Sequence, residues 1–271
     1  MDQSRAVNQE SATIKDAVAC YVASFGFKIH DQNPPRMGSS SCFFLVINGH
    51  WVLCTAAHVM DDIDTLQKRG VRLTDWHVND VFTKTERDYV YPFDLTTRER
   101  FYIRDDALGL DYCLIYVESI AAASMGSSGL AAMGRNMIGD STEAYKWVVT
   151  GFPSQFTSHA GHHFHQRHYT IGVTPMDRPA DWEPEKNMHS LFGQLDAPDE
   201  DFEAIDIGGM SGGPIFGLFR QPNGTSYVKL VAVQSGWSER SRIITACPIA
   251  PFLDAVDRLI AEAHGTDGND T

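Results

Sequence analysis

The chain has 271 residues with 22 basic and 35 acidic side chains, a formal net charge of −13. At 43% hydrophobic it has enough apolar residues for a packed core, which excludes a disordered chain, and its longest apolar runs fall far short of the roughly 20 residues that cross a membrane. A chain this acidic, with Lys and Arg scattered, is not expected to bind nucleic acid.

In chain order, Ile14, Ala17, Val18, Tyr21, Val22 and Phe25 form a helical stripe, but Tyr21–Ile29 also has the residue types of a strand, so both readings stay open. Asn33-Pro34-Pro35 breaks whichever element precedes it. Cys42–Ile47 and His50–Thr55 flank Asn48-Gly49 and predict a hairpin with a two-residue turn. That turn pairs positions summing to 97, so Cys42 and Cys54 point to opposite faces and no disulfide joins them. Val71–Leu73, Phe101–Arg104 and Tyr112–Val117 read as short strands. Ser119–Asp140 is rich in small residues and poor in β-formers, and reads as a linker. Lys146–Gly151, Tyr169–Val173, Pro214–Phe219, Val228–Gln234 and Ile243–Thr245 are further strands. After Pro251, Phe252, Val256, Leu259, Ile260 and Ala263 mark an amphipathic helix.

The five cysteines, Cys20, Cys42, Cys54, Cys113 and Cys247, are odd in number and show no C-x-x-C spacing, so they read as free, buried, small hydrophobes. The first 23 residues mix acidic and basic side chains and lack the apolar core of a signal peptide, which predicts a cytoplasmic protein. Five histidines crowd into His159, His162, His163, His165 and His168. No cysteine lies near them to complete a zinc set, so an exposed loop or hairpin is expected there, with no metal and no cofactor.

Two stretches carry chemistry: Thr55-Ala56-Ala57-His58-Val59 after the hairpin, and Gly208-Gly209-Met210-Ser211-Gly212-Gly213-Pro214-Ile215. They resemble the catalytic His and Ser contexts of the trypsin-like (chymotrypsin-fold) serine peptidases. Asp111-Tyr112-Cys113-Leu114-Ile115 is similar to the segment that supplies that family's Asp, with Cys113 in place of a small residue. The order His58, Asp111, Ser211 is the family's order, with 53 residues in the first gap and 100 in the second. The chemistry has its own logic. A serine hydroxyl needs a base to become a nucleophile at neutral pH, a neutral imidazole supplies one, and a carboxylate fixes the imidazole's tautomer.

The resemblance, which spans roughly residues 38–250, implies an all-β fold of two packed antiparallel six-stranded β-barrels with a C-terminal α-helix. The expected organisation is an N-terminal extension and first strand (1–37), a first barrel with His58 and Asp111 (38–120), an inter-barrel linker (121–145), a second barrel with Ser211 (146–248), the helix (249–264) and a flexible tail (265–271). It implies an oxyanion hole formed by the backbone N–H groups of Gly209 and Ser211. It places the walls of the pocket for the residue before the cleaved bond (P1) at Ile205, Asp206, Gln234 and Gly236. Asp206 suits a basic P1 side chain and Gln234 a polar one, while a small or apolar one also fits the pattern. Met210 stands where many secreted members carry the Asp of a zymogen switch, and no bracing disulfides have counterparts. Both features suit a bacterial-type intracellular member.

The expected function is a serine endopeptidase acting on a protein or peptide through an acyl-enzyme, in company with a separate regulatory protein. The alternatives are a catalytically silent or activator-dependent binding module and an esterase on the same scaffold. Asp177–Asp206 holds ten acidic residues against Arg178 and Lys186, net −8, and reads as a solvated loop or as a rim that steers basic substrates.

Overall fold

The computed structural model describes residues 14–80, 90–160, 163–183, 186–196 and 206–266. A short helix, α1, covers residues 14–19, and β1 (Val22–Ile29) follows within the same stretch, so the helical and strand readings of the N-terminal segment each hold over part of it.

β2 (Arg36–Ile47) and β3 (His50–Thr55) form the expected hairpin, with Phe43 opposite Cys54 and Ile47 opposite His50. α2 (Ala57–Lys68) follows at once. Then come β4 (Leu73–Asn79), β5 (Val90–Pro92), β6 (Arg100–Asp105) and β7 (Leu110–Tyr116). The strand expected at Val71–Leu73 instead begins at Leu73, because the chain first leaves α2 through a turn in which the Val71 N–H bonds Leu66 O.

These seven strands form an antiparallel sheet in the order β5-β4-β1-β2-β3-β7-β6. The first barrel is therefore not a closed six-stranded one, and among the described residues no ladder joins β5 to β6. The chain between those two edges fills the opening with side chains. Phe93 and Leu95 are buried at its centre, and the Arg98 guanidinium lies 3.9 Å over the Phe93 ring.

Ser119–Asp140 is not a featureless linker. It contains α3 (Ser119–Ser128), whose Ile-Ala-Ala-Ala run suits a helix as well as it disfavours a strand. Beyond α3, the Met133 N–H bonds Phe44 O at 2.8 Å and the Gly139 N–H bonds Leu230 O at 2.9 Å, which tie the crossing to both halves of the molecule.

The second half does close. β8 (Lys146–Gly151), β11 (Tyr169–Met176), β12 (Leu191–Leu195), β13 (Pro214–Arg220), β14 (Ser226–Ser238) and β15 (Ile243–Pro248) form a barrel in the order β11-β12-β15-β14-β13-β8. β9 (Ser158–Ala160) and β10 (His163–His165) make a small separate hairpin within the histidine-rich stretch. α4 (Ile249–Thr266) ends the described chain. It starts two residues before Pro251, which sits in the first turn, where a missing N–H costs no helical bond.

Three apolar clusters explain the sequence pattern. Cys42, Phe44, Cys113 and Ile115 face the interior of the first sheet, while Phe43, Leu45, Tyr112 and Leu114 face the second half. Both faces of β2 and β7 are buried, so these strands read as continuous apolar runs rather than alternating ones. The third cluster, with Trp147, Val149, Met210 and Ala246, fills the closed barrel. All five cysteines are free, and four of them are fully buried. Among the described residues no helix is long and apolar enough to cross a membrane.

Candidate active site

His58 is the second residue of α2, and the helix has Ala56 at its N-cap with no side-chain cap. The first N–H groups of a helix need an acceptor, and Asp111 of β7 supplies one. Asp111 Oδ1 accepts the His58 backbone N–H at 2.8 Å, and Asp111 Oδ2 lies 2.6 Å from His58 Nδ1.

The strand and the helix are held in register from both sides. Arg104, directly opposite Asp111 on β6, pairs with Asp61 one turn along α2 at 2.6 Å, and Arg100 pairs with Asp64 at 2.7 Å. On the other side, the Tyr112 hydroxyl donates to Pro248 O at 2.6 Å and its ring stacks on Phe252 at 4.1 Å. These contacts lock the residue beside Asp111 to the start of α4.

Ser211 lies in the turn before β13. Gly212, next to it, has φ +83°, and a Cβ there would stand 2.8 Å from Ala56 N and 2.7 Å from Ser41 O. The serine turn is therefore pressed against the residues that lead into His58. The first half grips it directly: Ser41 N and Ser41 Oγ both donate to Gly209 O, and Ser40 Oγ donates to Ser211 O at 2.9 Å. Ser41 Oγ in turn accepts from Phe152 N at 2.9 Å, and Thr55 Oγ1 donates to Ser41 O at 3.0 Å. Ser211 Oγ and His58 Nε2 make no hydrogen bond with each other.

The orientation of the turn's amides follows from its carbonyls. Ser154 N donates to Gly208 O at 2.7 Å, and Gly213 N donates to Met210 O at 2.8 Å. In a trans peptide the N–H points opposite the C=O, so the Gly209 and Ser211 N–H groups face away from these partners. Neither amide has a protein acceptor among the described residues. Gly209 has φ +89°, and Ser154 Oγ would lie 2.2 Å from a Cβ there, so only glycine fits.

Gln234 is fully buried and brackets the serine turn, with its O accepting from Gly212 N and its N donating to Gly213 O, both at 2.9 Å. Its Nε2 donates to Gly236 O at 3.0 Å, and its Oε1 has no hydrogen-bond partner among the described residues. The Asp206 carboxylate turns back to accept Gly208 N at 2.7 Å. Ile205 lies outside the described residues, as does much of the acidic stretch before Ser211.

Cavities flank the site on both sides. One of about 150 Å³ is lined by His58, Asp111, Arg104, Asn187 and Ser235. Another of about 630 Å³ opens between Pro34–Ser39 and Ser154–Ser158, next to the Gly208–Gly209 peptide.

Sequence reasoning missed Ser40, Ser41, Ser235 and Asn187. The Ser39-Ser40-Ser41 triplet did carry a signal: three hydroxyls in a strand entering the core need partners. Asn187 carried none. Within the histidine-rich stretch His162 lies outside the described residues, whereas His168 is buried and hydrogen-bonded to Thr150 Oγ1. Among the described residues no cluster of three or more His, Cys, Asp or Glu side chains is placed to hold a metal.

No protein-family model and no curated protein matches the chain. Solved structures do. The thermostable serine protease AL20 from an extremophilic microorganism superposes over 86% of this chain and 92% of its own, with 14% identity and a TM-score of 0.50. GrC covers 90% and 95%, with 12% identity and a TM-score of 0.51. Protease Anisep from Arthrobacter nicotinovorans covers 85% and 90%, with 12% identity and a TM-score of 0.49. By the first two of these superpositions the chain has the trypsin-like, chymotrypsin-type fold.

Proposed function

We propose that the protein is a serine endopeptidase using His58, Asp111 and Ser211. One observation carries this reading: the carboxylate–imidazole pair of Asp111 and His58 stands beside a glycine-rich turn that the first half holds by the Gly209 and Ser211 carbonyls.

Ser211 Oγ attacks the carbonyl carbon of the scissile peptide and gives its proton to His58 Nε2. Asp111 holds Nδ1–H and stabilises the imidazolium. The oxyanion of the tetrahedral intermediate takes hydrogen bonds from the Gly209 and Ser211 amides, each worth about 3–4 kcal/mol in the transition state. Collapse breaks the C–N bond, and the leaving amine takes the proton from His58. Water then repeats the sequence on the ester and frees Ser211.

The unpartnered Gln234 Oε1 supports a P1 side chain that brings a hydrogen-bond donor. The cytoplasm is the proposed compartment and a separate protein the proposed regulator.

The test is a fluorophosphonate probe on the wild-type protein and on Ser211→Ala. Labelling of the wild type alone is the expected result. No Ser211-dependent labelling would overturn the constitutive-enzyme reading and leave a peptide-binding module or an enzyme awaiting an activator. A peptide-library digest then separates peptidase from esterase and reads P1.

A further inference from the structure

Two consecutive residues at the end of β15, Cys247 and Pro248, grip the chain on either side of Asp111. Cys247 Sγ donates to Gly109 O at 3.1 Å, and Pro248 O accepts the Tyr112 hydroxyl at 2.6 Å. The Asp111 backbone and the Ser235 side chain also hydrogen-bond the thiol. Gly109 O has another donor from the second half, Ser190 Oγ at 3.4 Å. Gly109 itself is pressed onto that half: its φ is +74°, and a Cβ there would stand 2.8 Å from Asn187 Cα. Gly109 is the residue just before β7, and Asp111 is the second residue of that strand. A hold on the Gly109 carbonyl therefore fixes where the strand begins.

Cys247 is fully buried, and no step of the chemistry above uses it. Burial first, then the nearby Asp111 carboxylate, push its thiol up to about 12, so at neutral pH it is an S–H donor rather than a nucleophile. A thiol is a weak donor, so its bond adds little to stability, but its acceptor lies two residues from the carboxylate that orients His58. The same pair of strands also holds the serine. Cys247 is opposite Val233 on β14, and the next residue, Gln234, brackets the Ser211 turn through its backbone N and O. One side of the β14–β15 ladder thus carries the serine turn and the other the anchor of Asp111.

We infer that Cys247 is a positioning residue for the reaction: acting through Gly109 O and the Asp111 backbone, its thiol sets where the Asp111 carboxylate stands behind His58. The inference rests on the proteolytic reading above. Its effect falls on rate rather than binding, because a small displacement of a catalytic group slows the chemical step while the substrate's own contacts stay in place.

The test compares substitutions of similar volume that differ in the donor. Cys247→Ser keeps an O–H for Gly109 O, and Cys247→Ala removes it. Cys247→Thr and Cys247→Val repeat the comparison with larger side chains, should the smaller pair not fold. Each protein is inactivated with the fluorophosphonate probe, and kinact and KI at Ser211 are read separately, beside the melting temperature. The expected result is a kinact within about threefold of wild type for the hydroxyl variant and about tenfold below it for the donor-free one, with KI unchanged in both. The donor-free variant should melt no lower than its hydroxyl partner. Equal kinact in the two members of a pair, or a loss of kinact that follows the melting temperature, overturns the positioning role alone. No Ser211-dependent labelling of the wild type overturns the constitutive-enzyme reading and the role of Cys247 with it.

Discussion

Asp111 serves His58 twice: one carboxylate oxygen accepts the backbone N–H at 2.8 Å while the other faces Nδ1 at 2.6 Å. The same group thus caps α2 and orients the ring that α2 carries. The two roles separate by substitution. An asparagine in its place would still accept the backbone N–H, but its amide would present a donor to Nδ1 and favour the wrong tautomer. Asp111→Asn is therefore expected to lower kcat by about 10⁴-fold with stability nearly unchanged. Asp111→Ala should lose the same activity and also about 1 kcal/mol of helix capping. Urea unfolding beside steady-state rates checks this, and equal stabilities for the two variants would remove the capping role.

Gly212 sets the distance between the two halves of the site. Its φ of +83° and the 2.8 Å approach to Ala56 N leave no room for a methyl group. Gly212→Ala is expected to cost at least about 2 kcal/mol from the left-handed backbone and overpacking together, and to abolish Ser211 labelling by fluorophosphonate. A folded variant that still labels at the wild-type rate would show that the turn tolerates displacement.

The arginine pairs on α2 make a subtler prediction. Arg104 and Asp61 are each about a third exposed, at 38% and 34%, so their ion pair adds less than about 1 kcal/mol to stability. Its effect is positional, because it spans from the strand opposite Asp111 to the helix of His58. Arg104→Gln should lower kcat roughly tenfold with KM and melting temperature almost unchanged, and Arg104→Lys should restore part of it. A fall in melting temperature that tracked the loss of activity would make the pair merely structural.

Much of this was legible in the residues. The Asn48-Gly49 hairpin, the strand that carries Asp111, the strand that follows Ser211, and the glycine-rich turn all announce themselves through local chemistry. What stayed hidden depends on long-range packing. The gap between β5 and β6 is filled by Phe93 and Leu95, whose burial no local pattern distinguishes from a strand's. α3 hid behind small residues that serve helix and linker alike. Asn187 reaches the site only because a loop of the second half bonds to the backbone of residues 106–108. Nor does the spacing of the histidines tell His168, buried against Thr150, from the others nearby.

His168 gives the clearest dependence on pH. Burial disfavours its charged form, and Lys15 nearby adds to this, so its pKa falls from an ordinary 6.5 to about 4. The folded-state pKa lies below the unfolded one, so the unfolded chain binds the proton more readily. The neutral histidine's full contribution is present above about pH 6.5 and is lost as pH falls toward 4. A shift of this size corresponds to about 3 kcal/mol at full protonation. His168→Gln keeps a hydrogen-bonding group for Thr150 but does not titrate. The expected outcome is that urea unfolding between pH 7 and pH 4.5 shows a smaller loss of stability in the variant than in the wild type. Parallel losses in the two proteins would place the acid sensitivity elsewhere.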